Sequence, residues 1–185
     1  RAHKILSGMT LAAVIFGITL SMLHQSGLGA LFLMAKEKIH PLWYSEFIPV
    51  LFLVSSIFAG LSMVIFEGSI SQRVFSGQIS DKHRNEHHNI IHGLSKICTG
   101  AMFAYFFLQL LVLVHGKHWD LLNTPMGHWY LLEMIGFVLV PMVLYFYSYR
   151  ANNVFLIRLA AILTMLGVIL NRLNVTVNGF KWDMA

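Results

Sequence analysis

The chain has 185 residues, of which 57% are hydrophobic and only 11% charged, whereas a soluble domain carries roughly 45–50% apolar and about 25% charged residues; a soluble globular fold is excluded, because one water-facing core cannot hide so much apolar sequence. Thirteen Lys and Arg against eight Asp and Glu give a formal charge of +5, spread over the loops rather than clustered, which removes nucleic acid as a partner. The single cysteine, Cys98, can form no disulfide within the chain and no zinc or iron–sulfur site, so no metal centre is expected and any redox centre must come from elsewhere.

The opening Arg1-Ala2-His3-Lys4 has no Met, and the apolar run behind it is too long for a signal-peptide core and ends without a small-residue cleavage site. It reads as an internal piece of a longer chain or a processed product. Five segments in one membrane domain, 1–185, are then long enough to cross a bilayer, which needs about 20 mostly apolar residues: Ile5–His24, Phe47–Phe66, Ile97–Val114, Leu131–Tyr149 and Val154–Leu170. The predicted class is all-α integral membrane. Between the first two spans, the outer loop 27–44 holds the apolar stretch Leu28–Ala35, read as an interfacial helix, and the aromatic belt His40-Pro41-Leu42-Trp43-Tyr44.

The connection 68–90, with Arg73, Lys82, Arg84 and the histidines His83, His87 and His88, is expected as a polar loop outside the hydrocarbon. Pro141 predicts a kink in the fourth span. Arg1, Lys4, Arg73, Lys82, Arg84, Lys96, Arg150 and Arg158 fall at or near one face, and Lys36, Lys38, Lys117, Arg172 and Lys181 at the other. The Lys/Arg bias makes the first face cytoplasmic.

Membrane depth sorts the polar residues. His24 ends the first span on the outer side, Glu133 sits about one turn inside the fourth, and Asn171, Arg172 and Asn174 close the fifth at the same level. A histidine, a carboxylate and a guanidinium at one depth suit a two-electron, two-proton carrier such as a quinone, which needs a donor for each carbonyl oxygen and titratable groups to move protons. The plain alternative is that Arg172 snorkels, His24 caps a helix end and Glu133 pairs with a neighbour. Glu133 is expected to be protonated or paired with Arg172. Glu67, at the inner end of the second span, is the other candidate for a proton pathway, expected to be buried, with Arg158 as a possible partner. Ten histidines invite a haem, yet none is mid-span, so neither haem nor iron–sulfur cluster is expected in this chain. The His83/His87 and His88/His92 spacings of four lack a carboxylate or thiolate at a fitting distance for a metal.

Three motifs in order, Leu23-His24-Gln25-Ser26-Gly27-Leu28-Gly29, His40-Pro41-Leu42-Trp43 and Val64-Ile65-Phe66-Glu67-Gly68-Ser69, resemble the NrfD/polysulfide-reductase-type membrane subunits, in particular the HybB-like subunits of periplasmic nickel–iron hydrogenases and related cytochrome-linked complexes. Trp129-Tyr130-Leu131-Leu132-Glu133 and Asn171-Arg172-Leu173 followed by Phe180 continue the likeness. The resemblance implies part of a double four-helix bundle, in the membrane of a prokaryotic cell. It implies a subunit of a quinone-linked oxidoreductase, without redox cofactor of its own, that passes electrons between menaquinone or ubiquinone and a ferredoxin-like iron–sulfur subunit on the outer face. Proton translocation is a further expectation. Hydrogenase, molybdopterin or multihaem cytochrome subunits would complete the complex. On this reading His24, Glu133 and Arg172 are the quinone candidates, Glu67 and Glu133 the proton-pathway candidates, and His40, Trp43 and Tyr44 the docking candidates. Two other classes stay open: a proton- or ion-conducting or transporter subunit using the same charged residues, and a haem-binding cytochrome b.

Overall fold

A computed structural model describes residues 2–75, 81–151 and 153–179, with side chains for 8–75, 86–151 and 153–179. Arg1, Lys4, Lys82, His83, Arg84, Phe180 and Lys181 of the sequence reading lie outside the described residues or side chains. The described chain is helical: α1 (Ala2–Leu33), α2 (Ile48–Val74), α3 (Asp81–Gly116), α4 (Pro125–Leu131), α5 (Val140–Ala151) and α6 (Val154–Leu173). Five rods are long and apolar enough to cross a membrane, because α4 and α5 join into one rod, Pro125–Ala151.

Helix ends follow local chemistry. Thr124 Oγ1 accepts the Gly127 N–H at 3.1 Å and Pro125 opens α4, while Asn153 Oδ1 accepts the Phe155 N–H at 3.0 Å at the start of α6; each satisfies an amide that no earlier turn can serve. Two expectations are corrected. The stretch from Leu28 is no separate interfacial helix, since α1 runs without a break to Leu33. Most of 68–90 is helix too: α2 continues to Val74, α3 begins at Asp81, and His87 and His88 sit within α3. Polar residues extend a helix past the hydrocarbon as readily as they form a loop, because its backbone is satisfied internally in either solvent.

Helices α2, α3, α5 and α6 form a four-helix bundle in which α2 and α5 each pack on both α3 and α6. On α2 the buried residues Ile48, Phe52, Ser55, Phe58, Ser62, Ile65 and Ser69 advance by threes and fours, with Leu51 buried beside them, and so do Ile157, Ala160, Thr164, Gly167 and Asn171 of α6; each stripe faces its neighbours. Small and hydroxylated residues let the backbones approach where lipid offers no hydrophobic drive. At mid-bundle Ser62 Oγ lies 3.0 Å from Tyr145 Oη and 3.5 Å from Cys98 Sγ, all three buried. Helix α1 packs along α2, and of its described side-chain positions only Gly29 is buried.

Candidate functional site

At one end of the bundle two helices leave α geometry. Pro141 has no N–H, and its ring crowds the carbonyl four residues back, that of Phe137; the chain before it, Leu132–Leu139, widens into a π-helical segment. The π-helical segment thus stands directly before Pro141, where the sequence predicts a kink. The end of α6 widens likewise at Asn174–Asn178, where the Gly179 N–H donates to Asn174 O at 2.6 Å, five residues back. Wider turns rotate side chains out of the α register, and such segments recur at functional sites. Glu133 lies on the first segment, Asn174 on the second, and the helices close on each other where Gly167 faces the Phe137 backbone.

The Glu133 carboxyl, 5% exposed, receives three N–H donors from two directions. Asn174 Nδ2 donates to Oε2 at 2.7 Å, Trp43 Nε1 to the same oxygen at 3.2 Å, and Asn171 Nδ2 to Oε1. Asn178 Nδ2 in turn donates to Asn174 Oδ1 at 2.8 Å. Arg172 reaches the carboxyl through an amide: its Nη1 donates to Asn171 Oδ1 at 3.1 Å, its Nη2 to Ser55 Oγ at 2.6 Å, and its guanidinium lies 3.5 Å from the centre of the Phe52 ring. This arrangement places a cation and a carboxyl in one network, with Asn171 between them. A second polar chain borders it, Tyr130 Oη donating to Gln109 Oε1 at 3.0 Å and Gln109 Nε2 to Tyr105 Oη at 3.0 Å, while Tyr130 sets its ring edge-on to Trp43 at 5.9 Å. Two cavities of about 20 and 10 Å³ adjoin these groups, one lined by Trp43, Tyr105, Gln109 and Asn171, the other by Ser55, Tyr105, Glu133 and Asn171; the larger has the room a single water needs.

The loop before α2 closes this end. The His40 N–H donates to Gly179 O at 2.9 Å, and the Trp43 N–H to His40 O at 2.9 Å, which turns the Trp43 indole inward. His40 and Trp43 are both buried, so of the three docking candidates Tyr44 alone keeps part of its surface open. The reason is the Glu133 carboxyl: a buried acceptor draws the indole donor to it. Burial lowers the His40 pKa below its ordinary 6.5, with the charge of His118 acting in the same direction.

Beside the network a groove of about 620 Å³ opens between α1, α2 and α6. Phe32, Phe52, Met63 and Val168 give it apolar walls, and Ser21, Gln25, Arg172 and Thr176 supply polar groups. Of the residues predicted for the site, Glu133 and Arg172 come together. His24 does not join them: it is exposed and lies outside the groove lining, where the next residue, Gln25, stands instead. One residue along a helix is a turn of about 100°, which depth alone does not reveal. Glu67 is exposed rather than buried, because the inward stripe of α2 passes through Ile65 and Ser69 and leaves it to one side. Trp43, Asn171 and Asn174 hold the carboxyl, and Ser55, Tyr105 and Gln109 border it. The buried spacing of Ser55, Ser62 and Ser69, seven apart, is the sequence signal that could have placed Ser55.

The profile of the family described as polysulphide reductase, NrfD, matches residues 2–181. The chain belongs to this family. A protein of Nitratidesulfovibrio vulgaris is 41% identical over 184 residues, covering 100% of this chain and 47% of its own length. The probable Ni/Fe-hydrogenase 2 b-type cytochrome subunit of Escherichia coli is 40% identical over 70 residues, 37% of this chain and 18% of that protein. The chain thus spans less than half the length of the first of these relatives. No solved structure matches it. As an NrfD-family chain with five rods long and apolar enough to cross a membrane, it is an all-α, multi-pass membrane protein.

Proposed function

We propose that the chain is the quinone-reactive part of a membrane anchor, passing electrons between a quinone pool and a ferredoxin-like iron–sulfur subunit docked at the Glu133 end, in the cytoplasmic membrane of a prokaryote. The observation that carries the reading is the groove between α1, α2 and α6, with Arg172 on its wall and the Glu133 network behind it. Its volume falls within the roughly 300–1,000 Å³ of small-molecule sites, and apolar walls with a few placed polar groups are what such sites use. Those groups fit a quinone: Phe32 and Met63 give an apolar wall for a flat ring, and Gln25 and Arg172 are the donors for its carbonyl oxygens.

A quinone takes up or releases two electrons and two protons. Of the chain's own residues beside the groove, Glu133 is the titratable group that would hold and release a proton; Arg172 and Asn171 keep it in place through their hydrogen bonds, and the larger cavity, lined by Tyr105 and Gln109, has room for the water that would carry the proton onward. A haem is not part of this reading, because the described histidines lie toward the helix ends and not at mid-depth. The bundle interior at mid-depth is Ser62, Cys98, Tyr145 and Thr164, and His88 and His92, on one helix with ring centres 4.6 Å apart, leave no room between them for a porphyrin. Of the partners considered, a hydrogenase is favoured by the name of the Escherichia coli relative.

The test is quinone turnover in the intact complex. Gln25→Leu is expected to slow it about tenfold, the scale of one lost hydrogen bond, and His24→Ala to leave it near normal. The reverse pattern would remove the groove from consideration and return His24 to the site.

A further inference from the structure

At the end of the bundle opposite Glu133, three helices gather basic side chains. His87, His88 and His92 lie early in α3, Arg158 about one turn into α6, and Tyr149 and Arg150 near the end of α5. The His88 and His92 rings meet at 4.6 Å, His92 lies 6.5 Å from Tyr149, and His87 is within electrostatic reach of both Arg158 and His88. The groups form one continuous band. Three atoms of it, His87 Nδ1, His92 Nε2 and Arg158 Nε, are shut off from solvent and have no hydrogen-bond partner.

Buried polar groups are normally paired, and each exception asks for an explanation. Arg Nε can only donate, so the missing partner of Arg158 is an acceptor, and in a band of histidines around an arginine the fitting acceptor is an anion. Glu67, the α2 carboxylate beside the Gly68 on which His87 packs, is exposed. Next to the band an apolar groove of about 440 Å³ runs between α3 and α5, lined by Thr99, Gly100, Phe103, Met142, Val143 and Phe146. The Arg150 guanidinium lies 5.8 Å from the centre of the Phe146 ring, and Thr99 stands two turns along α3 from His92. Apolar groove and basic band therefore adjoin, and a ligand that answers both has an anionic head and a hydrocarbon tail.

We propose that this end of the bundle binds an anionic phospholipid, its phosphate against the band of Arg158, His87 and His92 and an acyl chain in the α3–α5 groove. A free phosphate shares the chemistry of the head but has nothing to place in the groove. The assignment does not rest on the quinone reading, whose groove lies toward the other end of the bundle and shares no residue with this site.

The experiment uses the full-length protein in its complex, reconstituted in phosphatidylcholine bilayers containing a minority of phosphatidylglycerol, with retained lipid counted by native mass spectrometry. Phosphatidylglycerol is expected to be retained over phosphatidylcholine. Arg158→Gln should lower its retention about fivefold, the scale of one basic side chain beside an anionic surface; His92→Gln should lower it less, and Arg158→Lys should keep most of it. Lys36→Gln, at the Glu133 end, should change nothing. Equal retention of the two lipids overturns the site, and so does an equal loss from Lys36→Gln. Displacement of phosphatidylglycerol by millimolar inorganic phosphate would make the occupant a soluble anion and overturn the lipid. Should Arg158→Gln fail to assemble, His92→Gln and the phosphate competition decide.

Discussion

The imidazole of His40 is held by its own loop: Nδ1 accepts the Leu42 N–H at 3.2 Å while the His40 backbone N–H reaches Gly179. A ring that accepts at Nδ1 is unprotonated there, and burial together with the charge of His118 lowers its pKa from 6.5. The folded loop then binds fewer protons than the unfolded one, so its contribution to stability is complete above about pH 6.5 and declines as the pH falls through that value toward the lowered one. The expected outcome is that Trp43, which the loop positions over Glu133, changes its fluorescence as the pH is lowered from about 8 to about 5. In His40→Asn, whose Oδ1 can still accept the Leu42 N–H, that change should disappear. At this scale the sequence was partly legible. Glu133 and Arg172 announced themselves as charges within apolar runs, which membranes penalise unless they have a use. Asn171 and Asn174 were visible only as neighbours of Arg172, and Trp43 as an aromatic near an interface. Their shared carboxyl is a contact across 90 residues in the case of Trp43, and no local pattern encodes it.

Among the elements, the five membrane-crossing rods were legible because each apolar run exceeds the length a bilayer demands. Their ends were not, since a helix loses nothing by running into polar sequence; α2 and α3 therefore extend well past the hydrocarbon stretch. The π-helical widening next to Pro141 was legible only as an expected kink. Gly167 makes the pairing of α6 with that segment possible. A Cβ there would stand 2.7 Å from Phe137 Cβ and 2.9 Å from Phe137 O, and backbone cannot rotate aside as a side chain can. Gly167→Ala is expected to destabilise the bundle by about 1–3 kcal/mol, the usual cost of overpacking. Because the strain falls between Phe137 and α6, it should also loosen the hold of Asn171 on Glu133. A denaturation series in detergent measures the first effect, and quinone turnover the second.

Across the whole molecule, packing is uneven. The bundle of α2, α3, α5 and α6 encloses Cys98, Met102, Tyr145 and Ile157, each with at most 1% of its surface exposed, whereas α1 from Gly8 to Ser21 has no buried or half-buried residue. Close contact between α1 and α2 depends on Gly29, where a Cβ would come within 2.9 Å of Pro49 Cα. Cys98 is the chain's single thiol and lies inside the bundle, so its reaction with a maleimide reports whether the bundle has opened. Gly29→Leu should release α1 and widen the groove while leaving Cys98 as unreactive as in the parent chain. Rapid labelling of Cys98 in that variant would show that α1 and the bundle are one cooperative unit. The division itself was not legible in the sequence, because all five runs are apolar enough to cross a membrane and a lipid-facing helix reads like an enclosed one.

The two wide segments that meet at Glu133 also bear on how such a site is gained and lost. An α-helical turn closes on the fourth residue and a π-helical turn on the fifth, as the Gly179 N–H does on Asn174 O, so each segment holds chain that a plain helix of the same rise would not need. Removing one residue from Leu132–Leu139 would let the rod close as an α-helix, equally long and equally apolar. The rod on either side would keep its facing, because the wider turns already absorb the extra residue, and only the side chains within the segment, Glu133 among them, would fall back into α register. Glu133 would leave the interior with no side chain altered, and the span would still read as a sound membrane helix. A related sequence that lost the carboxyl network by this route would differ by a one-residue gap and by no exchanged amino acid.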